Sequence, residues 1–252
     1  QMLVADIMHL FGQTFLVSIA VPLVLVISVP TGQQMEALGK ALMSHVELLR
    51  SRSFDVDRVE VDPQPGLVRL KNKIPGIEID IVGAGDHLPR VDAAIRRVKE
   101  MARSIVASLP YNLPTNKANA LVTYVVNRRN TRRTKGLNDN VCPRVRFTGR
   151  KVDYRVEFGM GFGDYCEVYN PAVTSNSMNE RTQSCIALYP TGNATGSWVF
   201  WNLETGKHVR RSRWIKLLTP GRIIDIINAH AGNKTIKLLG DSNDDLPLPK
   251  EG

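Results

Sequence analysis

Cysteine is scarce. The 252 residues include three, Cys142, Cys166 and Cys185, an odd number at wide spacing. They make no CxxC pair and no even set, which excludes a zinc ribbon and a disulfide framework and leaves buried thiols in a reducing compartment. Histidine is thin as well: five residues, none with a partner at metal-ligand spacing. Ser18 and Cys142 have no recognisable nucleophile setting. The glycines of GMGFGDY (159–165) lack a following Lys-Ser/Thr or helix start, which excludes a phosphate loop.

Long apolar runs are limited to one, FLVSIAVPLVLVISV at 15–29. It is too short for a membrane span, and Pro22 interrupts it. Without a preceding basic segment it is not a signal peptide, so a nuclear or cytoplasmic chain is expected rather than a secreted one. Its Val, Ile and Leu suit two buried strands joined by a turn. Gln1 at the start, with a strand following almost at once, suggests a piece of a longer protein.

Acidic residues are outnumbered, 24 against 33 lysines and arginines, giving a net charge of +9. That balance favours an anionic partner, with nucleic acid or an anionic membrane as the leading choices. A hydrophobic content of 43% supports a core, and the length suits one large or two small domains.

Three strands are expected first: MLVADIMHL (2–10), FLVSIAV (15–21) and VLVISV (24–29). GQQMEALGKALMSHVELLRSR (32–52) then places Met35, Leu38, Leu42, Val46 and Leu49 at helical spacing. VDRVEVD (56–62) alternates and ends at the breaker DPQPG, and IEIDIVG (77–83) supplies another short strand. After AGDHLP, the stretch LPRVDAAIRRVKEMARSI (88–105) predicts a basic amphipathic helix. Val91, Ile95, Val98, Ala102 and Ile105 form its buried stripe, with Pro89 in the first turn. A mixed sheet with helices packed on it follows. NKANALVTYVVNRRNTRR predicts a further helix, apolar early and arginine-rich late. From Cys142 onward, short alternating runs separated by turn signals predict a small antiparallel β module, then a helix in TPGRIIDIINAH and a disordered acidic tail.

Phosphoryl transfer with two metal ions needs carboxylates from distant parts of a chain to converge. Three aspartates stand at suitable addresses. Asp6 is the lone charge in an apolar strand, where an unpaired carboxylate is costly. Asp62 closes a strand, where it could equally start a turn. Asp92 heads the basic helix, where the helix dipole alone would favour it.

The chain resembles the integrase region of copia-type retrotransposon polyproteins, from about residue 2 to about residue 216. VADIMHLFGQTFLVSI resembles the first catalytic strand and its hairpin. VDAAIRRVKEMARSIVASLP resembles the helix bearing the third acid, an E-R-x-x-R-x-hydrophobic-x-E pattern that runs into methionine-alanine-arginine. YVVNRRNTRRTKGLNDNVCPRVRFTGRKVDY resembles the segment that follows it. FGDYCEVYN and RTQSCIALYPTGNATGSWVFWNLETGKHVRRSRW resemble the terminal β module. The resemblance implies an RNase H-like core over 1–115, a helical basic connector over 116–155, the β module over 156–220, and a helix with the acidic tail over 221–252. It implies Mg²⁺ or Mn²⁺ held by Asp6, Asp62 and Asp92, transfer of DNA strands, DNA as partner, and a homo-oligomer. Asp92 stands where the family has glutamate, and Asp62-Pro63-Gln64 replaces Asp-Asn-Gly. The rival expectation is a catalytically dead, DNA-binding remnant.

Arg96, Lys99, Arg103, Arg128, Arg129, Arg132 and Arg133 are the candidate phosphate contacts. The cluster NRRNTRRTK (127–135) reads equally as a solvated helix end. Glu100 lies about 80° around the helix from Asp92, and is expected to face elsewhere and pair with Arg96, Arg97 or Arg103. Trp198, Trp201 and Trp214 are expected in the core rather than as stacking platforms.

Overall fold

The computed structural model describes residues 1–71, 74–83, 88–133, 141–171, 178 and 180–236. The expected acidic tail beyond residue 236, and Thr134 and Lys135 of the arginine cluster, lie outside the described residues. Two compact units form. Gln1–Arg103 with Arg128–Lys151 make the first, and Ser104–Asn127 with Val152–Ile236 make the second. The stretch 116–155, expected as one connector, is thus divided between them.

In the first unit β1 (Met2–Leu10), β2 (Gln13–Val21) and β3 (Leu25–Pro30) run antiparallel. The apolar run at 15–29 is therefore two strands and a turn, and no helix among the described residues is long and apolar enough to cross a membrane. Helix α1 (Met35–Arg50) leads to β4 (Arg58–Val61), the short α2 (Pro65–Val68) and β5 (Glu78–Ile81). Helix α3 (Pro89–Ser108) follows. The strand order is β3-β2-β1-β4-β5, with β4 parallel to both β1 and β5. This is the expected mixed sheet with flanking helices.

Alternation along β1 divides its side chains between two faces. Leu3 and Ala5 join Leu16, Ala20, Leu38, Leu42, Val46, Leu49, Val59 and Val61 in one buried cluster under α1. Burying each of those leucines contributes about 1.5–3 kcal/mol. Val4, Asp6 and Met8 point to the opposite face. Ser18 and His45 are polar intruders under α1: the Ser18 Oγ lies 2.8 Å from His45 Nδ1, and both residues are fully buried. A hydroxyl beside an imidazole would suggest a nucleophile, but neither group reaches solvent.

Helix α4 (Ala118–Asn130) ends on the edge of this sheet. Asn130 accepts from the Val26 N–H at 3.0 Å and donates to the Val26 carbonyl at 2.7 Å. Its side-chain amide takes the place that a neighbouring strand's peptide would fill on β3. Arg128, Asn130 and Thr131 are buried, so the end of α4 is packed rather than solvated, as far as Thr131. Sequence spacing did not expose this, because the partner backbone lies 104 residues away. Helix α5 (Pro143–Thr148), which the sequence pattern did not suggest, stacks Phe147 on Phe54.

In the second unit, α6 (Tyr154–Glu157) precedes β6 (Tyr165–Tyr169), β7 (Thr182–Pro190), β8 (Trp198–Asn202), β9 (His208–Arg211) and β10 (Trp214–Lys216). All pair antiparallel in the order β10-β6-β7-β8-β9. Trp198 and Trp201 are buried as expected, and Cys166 and Cys185 are free, buried and directly opposite each other. Lys117 is buried over the Trp201 ring, with Nζ 3.2 Å from His208 Nε2. Gly163 sits at φ +89°, where a Cβ would strike Leu109 and the Tyr111 hydroxyl. Its carbonyl accepts from that hydroxyl, so this glycine serves packing rather than phosphate binding. Helix α7 (Gly221–Ala231) closes the unit.

Burial pushes the His45 imidazole down to about 3. Below pH about 6.5 the unfolded chain therefore takes up a proton that the folded chain refuses, and stability falls as pH falls from about 6.5 toward 3. Urea titrations should show wild type losing about 2 kcal/mol more than a Ser18→Ala/His45→Leu double variant between pH 7 and pH 5. Equal losses would show that His45 is not the group that titrates.

Candidate active site

The site starts from register. Strands β1 and β4 are parallel and their last paired residues are Ala5 and Val61. The next residue on each is an aspartate, so Asp6 and Asp62 emerge side by side where the parallel pairing ends. Helix α3 covers the same face of the sheet as Asp6. Its apolar residues Val91, Ala94, Val98 and Ala102 are fully buried, whereas Ile95, placed by spacing in that buried stripe, lines a pocket instead.

That open pocket, of about 360 Å³, is lined by Asp6 and by Asp92, Ile95, Arg96, Lys99, Glu100 and Arg103 of α3. The helical positions follow a three-then-four spacing, so one stripe of α3 forms its wall. Glu100 shares this wall with Asp92, contrary to the expectation that it faces elsewhere. The reason is geometric: a helical stripe is 100° wide or more, and an 80° offset stays inside it.

Asp6 is the electrostatic centre. Burial pushes its carboxyl up to about 6, and the neighbouring Asp62 and Asp92 push the same way, while the Ile7 N–H and Lys99 oppose them. The Oδ1 atom accepts from the Ile7 N–H at 2.6 Å and from the Gln64 amide at 3.1 Å. Two donors fill the lone pairs of Oδ1 and fix the carboxylate, leaving Oδ2 to face other groups. Gln64 precedes α2, whose first residue is Pro65. In the sequence Gln64 stands out only as a departure from an Asp-Asn-Gly pattern. Its contact with Asp6 spans 58 residues and has no local signal.

Asp62 and Asp92 thus each lie within electrostatic reach of Asp6. The resemblance implies a divalent ion, and the donor chemistry suits one, since the half-buried Asp6 has two further carboxylates, those of Asp62 and Asp92, within electrostatic reach. Mg²⁺ takes one or two carboxylates and completes its shell with water and substrate phosphate. Among the described residues no three Asp, Glu, His or Cys side chains stand close enough to hold a metal together. The donors fit, but a closed three-aspartate cage is not formed.

The basic candidates separate. Arg96 is exposed, and Arg96, Lys99 and Arg103 line the pocket. Arg132 and Arg133 are exposed just past α4, Arg129 is half-buried, and Arg128 is buried.

No family model matches the sequence, and no curated protein matches it. Among solved structures, the catalytic core domain of BIV integrase is similar with a TM-score of 0.44 and 15% identity, over 59% of this chain and 93% of that one. The site rests on this chain's own residues.

The raised carboxyl of Asp6 has a consequence for stability. Between about 3.8 and 6 the folded chain keeps a proton that the unfolded chain has released, so ionising Asp6 costs stability as pH rises through that window. Asp6→Asn in EDTA should stabilise the protein by about 2–3 kcal/mol at pH 7 and leave it unchanged near pH 3.5. Denaturant titrations at the two pH values measure this, and an equal effect at both would contradict it.

Proposed function

We propose that the chain is a polynucleotidyl-transferase-like protein of the integrase type that binds DNA and, with Mg²⁺ or Mn²⁺, processes and joins DNA ends. The supporting observation is Asp6 on the central strand, within electrostatic reach of Asp62 and Asp92 and lining a pocket whose α3 wall carries Arg96, Lys99 and Arg103 beside Asp92 and Glu100. Asp6, Asp62 and Asp92 would hold the divalent ions. Bound there, such ions supply activation of the attacking oxygen and stabilisation of the leaving oxygen of a phosphodiester.

The chain's own residues do the rest. Gln64 and the Ile7 N–H orient the Asp6 carboxylate. Asp6 must lose its proton before it can act as a ligand, which makes the site pH-dependent near neutrality. Arg96, Lys99 and Arg103 hold phosphates against the pocket, and Arg132 and Arg133 extend the basic surface without reading sequence. Arg128, being buried, serves packing at the end of α4 in this reading. The copia-type family, a polyprotein origin and a homo-oligomer belong to the same proposal.

A second reading is favoured by one observation, the lack of a three-residue metal cage among the described residues. It is a DNA-binding remnant with the same fold and surface but no productive metal site.

A duplex oligonucleotide with Mn²⁺ or Mg²⁺ separates the two. The first reading expects nicking or joining that rises between pH 5 and pH 7 and is abolished by Asp62→Asn. Salt-sensitive binding with no metal-dependent cleavage at any pH would leave the second reading standing.

A further inference from the structure

Two donors meet one oxygen of Asp6, and they differ in how they are held. The Ile7 N–H, 2.6 Å from Oδ1, belongs to the backbone of β1 and cannot leave without unmaking the strand. The Gln64 amide, 3.1 Å from the same oxygen, stands at the end of a rotatable side chain. Facing an acceptor-only carboxylate, it presents its N–H and not its carbonyl. Oδ2 accepts no hydrogen bond among the described residues.

The root of the Gln64 side chain is fixed. Its backbone N–H donates to the Asp62 carbonyl at 2.7 Å, and its own carbonyl accepts from the Leu67 and Val68 N–H groups at 2.9 Å. Helix α2 is in turn pressed against the start of α1: Leu67 is fully buried, and a Cβ on Gly66 would strike Leu38 and the Gln33 carbonyl. The side chain makes no cap bond to α2. Its amide therefore serves Asp6 alone among the described residues. A carboxylate shared by two divalent ions gives one oxygen to each. An oxygen that already accepts two hydrogen bonds has no lone pair left to give. Oδ1 is filled in this way, and Oδ2 is not.

We propose that Gln64 is a positioning residue that reserves Oδ1 of Asp6, so that the site admits one divalent ion through Oδ2 and a second only when the Gln64 amide swings away. This reservation rests on the metal-binding part of the proposed function.

The experiment counts Mn²⁺ ions bound by the full chain without DNA at about pH 7.5, where Asp6 is ionised. Loss of the free-ion electron paramagnetic resonance signal gives the count, and ions that Asp6→Asn still binds are background. Gln64→Ala and Gln64→Leu remove the donor, and each should bind one more Asp6-dependent ion than wild type. That added ion should be held about tenfold more tightly than any second ion in wild type. Gln64→Leu keeps most of the side-chain bulk, and denaturant midpoints report whether each variant is folded. A merely structural Gln64 would move those midpoints and leave the ion count alone. An equal or smaller count in the folded variants would overturn the reservation and leave the metal reading in place. Two Asp6-dependent ions bound with equal affinity by wild type would overturn it without any variant. If neither wild type nor the variants bind an Asp6-dependent ion, the metal reading fails and the reservation with it.

Discussion

The parallel register of β1 and β4 is the constraint on which the site depends. Pairing ends at Ala5 and Val61, and the next residue of each strand is acidic. A slip by one residue would turn Asp6 into the α1 core and separate it from Asp62. The register is held from the α1 side, where Leu3, Ala5, Val59 and Val61 pack as one cluster. The apolar face therefore fixes the position of the charges on the other face. Asp6 stays costly in the metal-free fold, whereas an arrangement selected only for stability would place an apolar residue there.

Much of the fold was legible because its signals are local. The first strand matches its expected bounds, and the other elements of the sheet fall within a few residues of theirs. The α3 helix announces itself by spacing, and the alternating runs after Cys142 become antiparallel strands. Among the candidate site residues, Asp6 stands out as a charge in an apolar run, and Asp62 and Asp92 stand out by position.

What was not legible is what distant segments do to one another. The Ser18–His45 contact, the Gln64 amide on Asp6 and the burial of Arg128 all depend on partners in other elements. Glu100 departs from its expected place for a different reason: a pocket wall is a band, and an 80° helical offset does not leave it. Lys117 shows the same limit in the second unit. Nothing in its local sequence marks its burial over Trp201 and beside His208.

The contact of Asn130 with Val26 reaches beyond the hydrogen bonds it makes. An open sheet edge is a template on which a foreign strand can add, the usual route to runaway self-association. Asn130 occupies the outward-facing groups of Val26 on β3, the most apolar edge of this sheet. The opposite edge, β5, is four residues long and carries Glu78 and Asp80, the latter salt-bridged to Arg58. One margin is plugged by an amide and the other is short and charged. Both edges of the described sheet therefore discourage the addition of a further strand, one through a side chain borrowed from a helix and the other through charge.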